Sequence, residues 1–327
     1  LEAMGALSHP VLFRLGAVYS ERAPLLKAGA FLVGPGAGMA EIVETITGDG
    51  RSTCGAELVY RVGVASARLE LRDFDPETGR YAEVAAFAPV AEDAPESYAQ
   101  ALAEPGLRIR VALAEGVTSW QVVQALEAAD FLSGTVAALP AEGSLAPDSY
   151  EVMRGDTRAG LLARMAERQA LILADLWAAR APGLPLATPQ EALTLASIVE
   201  KETGVADERA QVASVFVNRL RRGMRLQTDP TVIYGITGGQ GVLGRGLRRS
   251  ELDRATPYNT YVIDGLPPTP IANPGRAAIA AVLSPDETDY LFFVADGTGG
   301  HAFARTLDEH NANVRRWRAI EAERRAQ

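Results

Sequence analysis

The chain has one cysteine, Cys54, and three histidines, His9, His301 and His310, in 327 residues. A lone thiol excludes an intrachain disulfide and a cysteine-built metal site. The histidines do not fall at metal-ligand spacing within any one element, so no metal is expected. No run approaches the ~18–20 consecutive apolar residues of a membrane span. The opening Leu1-Glu2-Ala3-Met4 lacks the charged and apolar regions of a secretory signal, and the chain reads as the trimmed soluble part of something longer. Positive charge is also short: 32 basic against 41 acidic side chains leaves −9, which argues against nucleic acid as the main partner. Gly34, Gly36 and Gly38 lack the third glycine of a dinucleotide loop. Gly241, Gly244 and Gly246 lack the Lys-Ser/Thr pair of a phosphate loop. No cofactor is expected.

What is present is enough chain for two or more domains with a sizeable core. The expected class is α+β: small strand–helix units at the N-terminus, then a mainly helical domain with a β-hairpin. The units come from an internal repeat, in which Val33 to Ile46 lines up with Leu113 to Leu126 as strand, glycine turn and short helix. In the first copy Met39, Ile42, Val43 and Ile46 make one apolar stripe. In the second, Ser119 is the expected N-cap, and Val122 three residues on leaves it without a capping box. Between the copies, Val62 to Arg72 alternates as a strand and leads into a charged turn. The expected division is therefore 1–64, an insertion or extra β element at 65–105, a second unit at 106–140, and a mainly helical domain at 141–327. Within the last, a helix is expected from Glu151 to Ala181 and another from Thr188. Thr188, Pro189 and Glu191 supply N-cap, N1 proline and capping box, and Gly204 is expected as the left-handed end. Asp207 should cap the following helix, and a hairpin around Asp296-Gly297-Thr298-Gly299 precedes a final charged helix.

Chemistry centres on Glu200, which ends the apolar run Leu193 to Val199. A carboxylate held against apolar surface keeps its proton more readily, as a general acid of glycoside cleavage requires. Glu202 is its chief rival. Two positions along a helix turn it by about 200°, so the two cannot face one cleft. Loops rich in Tyr, Asn, Gln and Thr suit a sugar, because aromatic faces stack on the ring and amides bond hydroxyl and N-acetyl groups. Gln227, Thr228, Asp229, Tyr234, Tyr258, Asn259 and Tyr261 are the candidates to orient it. Ser197 and His301 do not form a Ser/His/Asp arrangement; Ser197 lies within the apolar helix, where its hydroxyl bonds a preceding carbonyl.

The strings Leu195 to Thr203, Val212 to Leu220, Met224 to Gly235, Tyr258 to Tyr261, Gly265 to Pro268, Ala272 to Gly275 and Leu291 to Gly297 with Gly300-His301 resemble the YceG-like family of endolytic murein transglycosylases. The resemblance spans roughly residues 107–311, and the repeat copies resemble that family's LysM-like units. It implies a protein held by a single-pass anchor in the bacterial inner membrane, facing the periplasm, that cuts nascent peptidoglycan glycan strands beside peptidoglycan synthases. Glu200 sits where the resemblance places the catalytic glutamate. Such an enzyme works with one carboxylate and leaves 1,6-anhydro ends. Two alternatives stay open: a muramidase-type hydrolase using Glu200 with Asp229, and a non-catalytic peptidoglycan-binding scaffold.

Overall fold

The computed structural model describes residues 9–25, 31, 33, 36–48, 55–75, 77–104 and 106–326. Cys54 and the 34–35 turn of the first repeat copy lie outside them. The chain divides into two compact units, one of residues 1–60, 68–111 and 151–154, the other of 61–67, 112–150 and 155–327. In the first unit, α1 (Pro10–Tyr19) and α2 (Met39–Thr47) bury Phe13 and Ala17 against Ile42, Val43 and Ile46. Three of the four residues of the expected stripe are thus inside, while Met39 is exposed.

The strands β1 (Ala56–Val62), β2 (Ala67–Asp75), β3 (Arg80–Phe87), β4 (Arg108–Leu113) and β5 (Ser149–Val152) form one sheet in the order β3-β2-β1-β4-β5. The strand expected over Val62 to Arg72 is broken by a turn, closed where the Gly63 amide donates to the Ser66 carbonyl at 3.0 Å. β2 and β3 pair antiparallel from Asp75↔Arg80, with a register shift at Leu71/Arg72. Asp75 fixes their turn by accepting the Glu77 amide at 2.8 Å and the Thr78 hydroxyl at 2.8 Å. Leu69, Leu71 and Phe87 are buried, and Phe87 meets Tyr98 of α3 (Glu96–Ala103) edge-on at 5.1 Å. Residues 151–152, expected as helix, belong to β5; the short alternation of Tyr150 and Val152, both buried, favours the strand.

The second unit carries α4 (Ser119–Ala128), α5 (Arg158–Ala178), α6 (Pro189–Glu202), α7 (Arg209–Arg221), α8 (Asp229–Thr237), α9 (Arg249–Leu252), α10 (Arg276–Leu283), the hairpin β6 (Phe292–Ala295) and β7 (His301–Ala304), and α11 (Leu307–Ala326). Every residue of α6 from Ala192 to Val199 is buried. That explains the unbroken apolar run, since a helix packed on all sides needs no polar stripe. Its neighbours in the core include Val212, Phe216 and Val217 of α7 and Ile279 and Val282 of α10. Ser197, fully buried, donates to the Thr194 carbonyl at 2.7 Å and accepts the Ile271 amide at 2.9 Å.

Four local expectations are corrected. The N-cap of α4 is Thr118, not Ser119, and with Gln121 it forms a complete capping box, worth about 1 kcal/mol. At α6 Thr188 caps Glu191 as expected, but the Glu191 carboxylate accepts from Ala187 at 2.6 Å instead of closing the box. Gly204 is absent from the positive-φ residues; α6 stops because Thr203 turns to extended backbone (φ −139°) and its hydroxyl takes the Val205 amide at 3.0 Å. Asp207 lies inside a 3-10 turn, Ala206–Glu208, and α7 has no side-chain cap.

Candidate active site

The end of α6 divides the chemistry between two sides of one helix. Glu202 looks into a cavity of about 570 Å³, which Gln227, Asp229, Tyr261, His301 and His310 also line. Glu200 is not among the lining residues. The helical geometry that forbids a shared cleft is therefore realised, and it is Glu202 that gathers the candidate sugar-orienting groups.

Each of these side chains is placed by its own backbone. Residues 226–229 alternate, with Leu226 and Thr228 buried and Gln227 and Asp229 exposed. The buried Thr228 donates a very short hydrogen bond to Glu202 Oε1. Its amide donates to Thr260 Oγ1 at 3.0 Å. Gln227 has φ +50°, a left-handed conformation that a residue with a β-carbon adopts at a cost of order 1–3 kcal/mol and that clusters at working sites. Its amide donates to the Thr260 carbonyl at 3.1 Å, which holds that conformation. Asp229, the first residue of α8, accepts the Tyr261 hydroxyl at 2.7 Å.

Burial dominates the electrostatics of Glu202 and raises its pKa above the usual carboxylate value, and nearby Asp229 pushes it the same way. Thr228, His301 and Arg219 oppose the rise. The Tyr261 phenol is also raised, by burial and then by Asp229, so at neutral pH it is a donor. The cavity's other wall is apolar, with Phe216, Leu226, Phe292 and Phe293. Arg219 also lines the cavity, beside this wall. Its guanidinium donates to the carbonyls of Leu291 at 2.6 Å and Leu226 at 2.7 Å and lies over the Phe292 ring.

Glu200 sits in a different setting. Its Oε2 accepts the amide of Gly275, the N-cap of α10, at 2.9 Å. Burial raises its pKa first; the Gly275 bond opposes this and the Glu115 carboxylate adds to it. Of two nearby glycines, Gly275 makes room for the Glu115 carboxylate, whereas Gly116 stands at ordinary contact distance. A β-carbon on Gly116 (φ +78°) would lie 3.6 Å from Glu200 Cγ, and one on Gly275 would lie 1.7 Å from Glu115 Oε1. Lys201 donates to the Gly116 carbonyl at 3.2 Å, and its pKa is lowered by burial although Glu200 and Glu142 oppose that. Glu142 accepts the Ser119 amide at 2.8 Å and the Tyr234 hydroxyl at 3.1 Å. Tyr234 in turn packs against Tyr258 with ring centroids 5.0 Å apart. Asn273, fully buried, ties the assembly by donating to the Val117 carbonyl at 3.0 Å and accepting the Leu145 amide at 2.9 Å.

The structure thus brings Gln227, Thr228, Asp229 and Tyr261 to Glu202, and links Tyr234 and Tyr258 to Glu142. Asn259 joins neither group. It is fully buried, its amide donates to the carbonyls of Glu251, Leu252 and Arg254, and its oxygen accepts the Tyr261 amide. It shapes the loop that presents Tyr261. Sequence reasoning passed over Glu115, Glu142, Glu208 and Arg219 as site residues. For Arg219 no signal existed, because an arginine late in a helix reads as a solvated end. Among the described residues no group of His, Cys, Asp and Glu could hold a metal ion.

The model of the YceG-like family matches residues 82–316, and the chain belongs to that family. Among particular relatives, it is 46% identical over 119 residues to the endolytic murein transglycosylase of Bacillus subtilis (strain 168), a match covering 36% of this chain and 32% of that one. It is 33% identical over 180 residues to the endolytic murein transglycosylase of Streptococcus pneumoniae serotype 2, covering 53% and 31%. The chain thus spans about a third of the length of the curated relatives it matches. A solved yceG-like protein from Listeria monocytogenes superposes with a TM-score of 0.54 at 25% identity, over 93% of this chain and 90% of that one.

Proposed function

We propose that this chain is an endolytic lytic transglycosylase that cleaves the MurNAc-GlcNAc β-1,4 bond of peptidoglycan glycan strands, with Glu202 as its acid and base. The observation that carries the assignment is the shared cavity: one carboxylate, its pKa raised by burial, faces Gln227, Asp229 and Tyr261 across a space with an apolar wall. Protonated Glu202 donates to the glycosidic oxygen as the bond to C1 breaks. The carboxylate so formed takes the proton of the muramic C6 hydroxyl as that oxygen attacks C1, which closes a 1,6-anhydro ring without water. Both groups belong to one sugar, so the second step is intramolecular and gains several powers of ten in effective concentration. Gln227, Asp229 and Tyr261 orient the sugar, Thr228 and Asn259 hold those groups in place, and Tyr234 with Tyr258 offers an aromatic surface for the strand further along.

Two other readings each rest on an observation. Asp229 shares the cavity with Glu202, so a two-carboxylate hydrolase is the alternative chemistry. Glu200 is also raised by burial, so it is the alternative acid. Digestion of uncrosslinked glycan strands, read by mass spectrometry of the released ends, separates all three. Anhydro ends lost with Glu202→Gln support the proposal. Reducing ends support the hydrolase, and loss with Glu200→Gln alone supports the alternative acid.

The wider setting belongs to the same proposal. The strand–helix copies are read as LysM-like glycan-binding units, within the division 1–64, 65–105, 106–140 and 141–327. A peptidoglycan substrate lies outside the bacterial inner membrane, so we assign this part to the periplasmic side, with a single-pass membrane anchor and peptidoglycan synthases as partners. No helix of the described residues is long and apolar enough to cross a membrane.

A further inference from the structure

His301 begins β7 and lines the Glu202 cavity. Its ring is held from behind. Nδ1 lies 2.8 Å from Glu208 Oε2, and the same carboxylate's other oxygen accepts the His301 amide at 3.0 Å. Both side chains are mostly buried, 16% and 20% exposed, and the edge of the Phe293 ring fixes the imidazole from the side at 5.2 Å. Gly300 lets Glu208 come this close, since a β-carbon there would fall 2.4 Å from Glu208 Oε1. A carboxylate bonded to one ring nitrogen sets the orientation of the other.

The charged and titratable groups around Glu202 come from several elements. Asp229 stands at the start of α8, Arg219 on α7, Tyr261 on the following loop, and His310 on α11. Asp229 opposes ionisation of Glu202, and Tyr261 is committed to Asp229. Arg219 is fixed to backbone carbonyls. His310 is stacked on Phe292, and burial with Arg219 nearby lowers its pKa. Of the two cations that oppose the rise at Glu202, Arg219 and His301, His301 is the one not committed to backbone carbonyls.

We propose that His301, tethered by Glu208, is a positioning residue that carries the compensating positive charge whenever Glu202 is ionised during turnover. The proton cycle stays on Glu202: it leaves for the glycosidic oxygen and returns from the C6 hydroxyl, while His301 keeps its own throughout. The proposal rests on Glu202 being the acid and deepens that reading.

The test is a carbon-13 titration of the Glu202 carboxyl in the full chain, assigned with Glu202→Gln, together with the pH dependence of anhydro-end release. His301→Gln is expected to move the Glu202 titration and the alkaline limb of activity upward by about one pH unit, because a nearby opposite charge is lost. Glu208→Gln should move both in the same direction by less, and it serves as the second variant if His301→Gln fails to fold. A folded variant whose activity falls equally at all pH values, with Glu202 titrating as in the wild type, would overturn the inference while leaving Glu202 as the acid. Full activity in Glu202→Gln would overturn both.

Discussion

The two sides of the α6 terminus hold carboxylates of the same kind, two residues apart, in opposite circumstances. Around Glu200 the neighbours close in: an amide at 2.9 Å, the Glu115 carboxylate admitted by the missing β-carbon of Gly275, and a lysine drawn onto the Gly116 carbonyl. Around Glu202 there is a cavity of about 570 Å³, lined also by Gln227, Asp229, Tyr261 and His301. Both carboxyls are raised by burial, so the pKa alone does not choose between them. The choice comes from what stands opposite, because a general acid must reach an atom that belongs to the substrate. The Glu200 side is built as a joint and the Glu202 side as a receptacle.

The sharpest way to break this comparison is substitution at each carboxylate. Glu202→Gln should cut anhydro-end release by about 10²–10⁴-fold, the usual scale for a general acid, whereas Glu200→Gln should cost less than about tenfold and act on stability. A strand-end assay on both variants decides it. On the joint side, Asn273→Ala should destabilise the fold by roughly 1–3 kcal/mol in urea unfolding, because it orphans the buried Leu145 amide, while the Val117 carbonyl keeps the Asn273 backbone amide at 2.8 Å. Gln227→Gly should keep or slightly raise stability by relieving the positive φ, while lowering kcat/KM in the same assay. Thr118→Ala should cost about 1 kcal/mol by removing one half of the α4 capping box.

The smallest effect concerns pH. Because the folded-state pKa of Glu202 is raised, the fold binds a proton that the unfolded chain releases near 4.5. Stability is then fully present below that value and declines as pH climbs toward the raised one. Glu202→Gln should remove this decline, so its Tm should exceed the wild type's near neutral pH and match it more closely in acid. A variant without that pH-dependent gain would show that Glu202 is better solvated than the cavity implies.

Much of α6 was legible, because Thr188, Pro189 and a run buried on every side leave few alternatives. The polar loops were harder. Asn259 and Thr228 read as sugar-binding types and turned out to be buried loop fasteners, since the same amide or hydroxyl bonds a backbone carbonyl as well as a ligand. The capping box of α4 was missed by one residue because Ser119 and Thr118 are both good caps and only the three-dimensional chain shows which one is extended. The choice between Glu200 and Glu202 lay in the same class. Periodicity predicted that they face apart, but which side opens depends on β6, β7 and α11, about a hundred positions downstream. Gly300-His301 was visible as a motif, yet its partner Glu208 lies in a 3-10 turn that the sequence reads as the start of a helix.

The central claim is that Glu202, and not Glu200, is the proton donor of a non-hydrolytic glycan cleavage. The most direct measurement is mass spectrometry of the ends that wild type, Glu200→Gln and Glu202→Gln release from uncrosslinked strands. The account predicts 1,6-anhydro ends from the first two and almost none from the third. Anhydro ends that survive Glu202→Gln and vanish with Glu200→Gln would contradict it, and reducing ends from the wild type would overturn the single-carboxylate chemistry itself.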